Sequence, residues 1–156
     1  MNRAGLVAAV RDREQHHADC PLEQRLIYAC EDVCDAEMPS RRLDADEARA
    51  IVNSIAHTED IDPPVVLVSR RLRRTLGAAD IENRTLHLAG PPVSLLVLVH
   101  EMAHFTSSSP GHGPDFLHEM LVLTRTHIGV QHAAFLHFLH GCAGLTVPPW
   151  PAIVRR

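Results

Sequence analysis

The sequence runs to 156 residues with a formal charge of -4 and 46% hydrophobic residues, a length and balance that suit one domain able to bury its own core and exclude a disordered chain. No apolar stretch approaches the roughly 18 residues needed to cross a bilayer, and the polar opening segment does not resemble a signal peptide. So small a net charge gives no global reason to expect nucleic acid or an anionic membrane as partner.

A cytoplasmic location is therefore expected, with Cys20, Cys30, Cys34 and Cys142 as free thiols, since they lack paired C-x-x-C spacing. The expected organisation is a single domain over 1–146 followed by an irregular Pro-rich tail over 147–156. Twelve histidines make up the one compositional anomaly that bears on chemistry.

In chain order, Asn2 to Ala18 reads as a polar helix, and Pro21 opens a second running to about Met38. Leu22, Leu26, Cys30, Val33 and Cys34 recur at helical spacing on that second helix, which assigns both cysteines to its buried face. Pro39 to Arg42 reads as a connector, after which Asp44 with Glu47 three residues later forms a capping-box start to a third helix. Its predicted buried face is Ala48, Ile51, Val52 and Ile55, and it should end before Asp60.

Val65 to Val68, Ala79 to Ile81 and Thr85 to Leu88 read as strands of a small sheet, the last two separated by a turn at Glu82-Asn83-Arg84. Arg70, Arg71, Arg73 and Arg74, with Arg84, form the one basic cluster; it could contact the phosphates of a nucleic acid, although a solvated polar face is the plainer reading. Gly90-Pro91-Pro92 then precedes an apolar run, Val93 to Phe105, long enough for a buried helix. Two further helices are expected over Pro114 to about Ile128 and about Gln131 to His140.

The chemistry concentrates at the end of the apolar run. His100-Glu101-Met102-Ala103-His104 is H-E-x-x-H. Residues four apart on a helix differ by about 40° in azimuth, so both imidazoles can share one tetrahedral metal, while the adjacent glutamate reaches a metal-activated water as general base. A buried helix carrying two histidines and a glutamate is costly unless those groups are satisfied, and a metal would satisfy them.

A catalytic zinc takes three protein ligands and leaves a position for water. The reading favours His112 as the third, because Pro110-Gly111 lets the chain turn back toward the helix; Glu119 and Asp115 remain the alternatives. The other helix histidines, His118, His127, His132, His137 and His140, read as solvated or hydrogen-bonded, and His16-His17 near Cys20 offers too few ligands for a second site.

The run His-Glu-Met-x-His followed by Gly-His-Gly-Pro-Asp-Phe resembles the SprT-like zinc metalloproteases over about Val93 to Met120. The chain's size and its late H-E-x-x-H also resemble small metallohydrolases of actinobacteria. The SprT-like resemblance implies one Zn2+ on His100, His104 and His112, with Glu101 catalytic, in an α+β zincin-like domain: a small sheet, an active-site helix and flanking helices. The cysteine-rich segment of many SprT-like members has no counterpart here.

The expected function is hydrolysis of peptide bonds in a peptide or protein substrate. By zincin analogy the substrate adds to the edge strand Thr85 to Leu88, and His87 is the only candidate for stabilising an oxyanion. Two alternatives stay open: a zinc hydrolase acting on a non-peptide amide, and a catalytically silent, metal-stabilised interaction or nucleic-acid-binding module.

Overall fold

The computed structural model describes residues 2–72 and 75–150. Arg73 and Arg74 of the basic cluster, and 151–156 of the tail, lie outside the described residues. The fold is α+β: α1 (Arg3–Glu14), α2 (Leu22–Glu37), β1 (Arg42–Leu43), α3 (Ala45–Thr58), β2 (Val65–Ser69), β3 (Gly77–Asp80), β4 (Thr85–Ala89), β5 (Val93–Ser94), α4 (Leu95–Thr106), α5 (Pro114–His127) and α6 (Val130–Ala143). No helix among the described residues is long and apolar enough to cross a membrane.

Local chemistry sets the helix starts. Asn2 caps α1 by accepting the Gly5 N–H at 2.9 Å, and Asp44 and Glu47 complete the capping box that opens α3. In α2 the buried stripe runs through Ile27, Cys30, Glu31 and Cys34. Leu22, expected on that stripe, is instead 61% exposed at the first position of the helix.

The sheet has the order β2-β4-β3, with β2 parallel and β3 antiparallel to β4. Thr85 to Leu88 is therefore the central strand, not the expected edge. The tight turn after Asp80, whose carboxylate takes the Asn83 N–H at 3.0 Å, folds β4 back on β3, while β2 pairs with the other side. β3 begins at Gly77 and ends at Asp80, so Ile81 falls in the turn and is 50% exposed.

Val93 and Ser94, read in sequence as helix, pair instead with Leu43 and Arg42 in a two-residue antiparallel ladder. The helix starts at Leu95, where the Ser94 hydroxyl caps the Val97 N–H. Apart from Val97 and its last three residues, α4 is buried. It packs on β3 and α3 and against α5, while α6 joins α5 to α1 and α2. One apolar cluster runs through the six helices and β4, including Leu86 and Leu88 from β4, Leu98 and Met102 from α4, Leu117 and Leu121 from α5, and Leu136 from α6.

Candidate metal centre

The last turns of α4 place His100 and His104 on one side of the helix, as residues four apart must lie. His112 reaches them from the turn between α4 and α5. That turn is built by Gly111, whose φ of 84° suits glycine, and by the Ser108 and Ser109 hydroxyls, which donate to Asp115 at 2.8 and 2.7 Å. One ring nitrogen from each of the three histidines lies within 4.8 Å of the other two, and the Nε2 atoms of His100 and His112 are 3.1 Å apart.

Two ligands about 2.05 Å from a tetrahedral zinc are about 3.3 Å apart, so the His100 and His112 nitrogens sit at a separation a zinc ion could bridge, with a His104 nitrogen within 4.8 Å of both. Burial, and after it the charge of neighbouring His100, pulls His104 down to about 4; the same causes pull His112 down to about 3. Both are neutral near pH 7, the state in which imidazole ligates. Phe116 supplies the floor: it is buried, and its ring centre lies 4.9, 4.5 and 4.6 Å from those of His100, His104 and His112.

His100 is held from behind by Glu31, with Nδ1 2.7 Å from Oε1 and both side chains buried. A carboxylate accepts only, so the imidazole donates through Nδ1 and leaves Nε2 free for a metal. Burial alone would lower the His100 pKa, but the Glu31 carboxylate overrides it and the net shift is upward.

Glu101 points instead toward β3. Its pKa is pushed up to about 7 by burial, eased by His100, raised by Glu31 and lowered by a hydrogen bond from the Ala79 N–H. Gly77 makes room for it: a Cβ there would lie 2.7 Å from both Glu101 Cγ and Oε1. The strand register fits this contact. Ala89 donates to Leu76 O, so alternate residues Ala78 and Asp80 face β4, and the Ala79 N–H is turned outward to Glu101, while the N–H and C=O of Gly77 are both taken by the Thr75 hydroxyl.

Of the alternative ligands, Asp115 is exposed and engaged by the two serines, and Glu119 is buried on α5 outside the cluster of nitrogens. His87 sits beside Asp80 on the sheet face opposite the buried Leu86 and Leu88, away from the three histidines. Arg70 and Arg71 are exposed where β2 ends. His17 bonds to Asp32 at 2.8 Å, His132 to Met38 O and His137 to Pro148 O, and His140 is fully buried with neither nitrogen paired among the described residues. A cleft of about 360 Å³ lies elsewhere, between Ser40, Ile51, His127 and His132, and none of the three clustered histidines lines it.

Sequence reading missed Glu31, Gly77 and Tyr28. Glu31 had a signal, an acid set within the stripe of Ile27, Cys30 and Cys34. Tyr28, the only tyrosine, stands against the cluster with ring centres 5.4 Å from His100 and 5.5 Å from His112. Comparison with family models, with curated proteins and with solved structures finds no match to this chain.

Proposed function

We propose that this chain is a zinc-dependent metallohydrolase of zincin-like, SprT-like type that hydrolyses peptide bonds, with His100, His104 and His112 as ligands and Glu101 as general base. One observation carries the reading: three imidazole nitrogens from two segments gather within 4.8 Å of one another, next to a buried glutamate that the neighbouring strand holds. Zinc held there would lower the pKa of a water to about 7 and polarise a carbonyl.

Glu101, buried beside the cluster, would accept that proton and return it to the leaving amine. Glu31 keeps His100 in the ligating tautomer. A purely structural metal site has no use for Glu101, whose buried placement favours the enzyme reading.

The test is metal content of the purified wild type beside His112→Ala, Glu119→Ala and Glu101→Gln, together with hydrolysis of casein as an unfolded substrate. About one zinc per chain is expected, lost in His112→Ala and kept in the other two, with hydrolysis abolished in Glu101→Gln. A wild type that takes up no zinc, or a Glu101→Gln protein that still hydrolyses, would overturn the reading.

A further inference from the structure

Zinc held by the three histidines would polarise the scissile carbonyl, and a protein hydrogen-bond donor beside it would add to the stabilisation of the oxygen that becomes negative. His87, the sequence candidate, lies on the far face of the sheet. Tyr28 comes from α2, a helix that the H-E-x-x-H motif does not involve. Its ring centre lies 5.2 Å from that of His17, 5.4 Å from that of His100 and 5.5 Å from that of His112. Its hydroxyl accepts a hydrogen bond from Gln24 Nε2 at 2.7 Å, and its own proton has no acceptor among the described residues.

An oriented phenol with an uncommitted proton, packed against two of the clustered histidines, is placed to meet a substrate bound there. We propose that the Tyr28 hydroxyl donates a hydrogen bond to the scissile carbonyl oxygen as that oxygen takes up negative charge, an inference that rests on the metallohydrolase reading above. The water oxygen bonds to the carbonyl carbon and Glu101 takes the released proton. The carbonyl π pair moves onto the oxygen facing Tyr28. As the C–N bond breaks, that pair re-forms the carbonyl and Glu101 gives its proton to the nitrogen. The phenol keeps its proton throughout, so it stabilises charge and transfers nothing.

Tyr28→Phe keeps the ring and removes only the donor. The experiment loads wild type and Tyr28→Phe with cobalt(II), whose visible spectrum reports the site, and titrates each with inorganic phosphate as a tetrahedral oxyanion; casein hydrolysis is measured on the zinc forms. Equal cobalt affinity is expected, with phosphate binding about tenfold weaker and kcat roughly a hundredfold lower at similar KM in Tyr28→Phe.

Phosphate affinity and kcat both within about twofold of wild type would overturn the Tyr28 assignment while leaving the metal site standing. So would a variant whose cobalt affinity falls, since the ring would then serve only to pack the ligands. A wild type that binds no cobalt overturns the metal site, and the assignment with it.

Discussion

A hydrogen atom is the whole side chain of Gly77, and Glu101 fills the space beside it. A methyl group there would stand 2.7 Å from Glu101 Cγ and Oε1, inside any tolerable contact. Gly77 sits within a strand fixed by pairing to β4, so the glutamate must yield rather than the backbone. Gly77→Ala should therefore keep the metal and the fold while lowering hydrolysis at least about a hundredfold, the scale on which a displaced general base acts. Zinc content, far-UV circular dichroism and casein turnover check this together. Turnover near the wild-type rate would mean that Glu101 has another productive position.

At the scale of elements, α2 supplies more to the centre than its place in the chain suggests. It packs against α1 and α6, which sets Glu31 behind His100 and Tyr28 beside it. Glu31→Gln keeps the size and an acceptor oxygen for the Nδ1–H but removes the negative charge. Zinc affinity should fall about ten- to a hundredfold with little change in melting temperature of the metal-free protein. Competition with a chelating dye measures it, and unchanged affinity would deny the carboxylate any part in holding the metal.

The contrast between α2 and α4 shows what the sequence could reveal. H-E-x-x-H was legible because both histidines and the glutamate lie within one helical turn, where spacing alone sets direction. His112 was legible through the glycine turn before it. Glu31, Tyr28 and Gly77 join the centre only through tertiary packing, so no spacing encodes them, although an acid in the apolar stripe of α2 was a clue. The same limit hid the order of the sheet. The alternation in Thr85 to Leu88 reveals a strand, but its place between β2 and β3 depends on long-range pairing. Val93 and Ser94 read as helix because a two-residue ladder leaves no periodicity to detect.

Across the whole molecule, buried histidines tie stability to pH. In the metal-free protein burial pulls His104 down to about 4, and His112 and His140 each down to about 3, against an ordinary value near 6.5. A depressed histidine contributes stability that is complete above about pH 6.5 and is lost as pH falls toward the folded value, because the unfolded chain then binds protons that the folded one refuses. Glu101, raised by burial to about 7, acts the opposite way: the folded chain takes its proton first as pH falls from 7 to 4.5. His127 is held down by burial as well, so the unfolded chain gains more protons than the folded one, and metal-free stability should fall as pH drops from 6 to 4.5. His140 isolates one of these protons. It is fully buried and neither nitrogen has a partner among the described residues, so His140→Leu, an apolar replacement of similar size, should match or exceed wild-type stability at pH 7 and lessen the acid slope by about one proton. Urea unfolding of both metal-free proteins at pH 7, 6 and 5 gives the two slopes. Equal slopes would mean that His140 takes up its proton inside the fold, and a less stable His140→Leu at pH 7 would mean that buried water already meets its nitrogens.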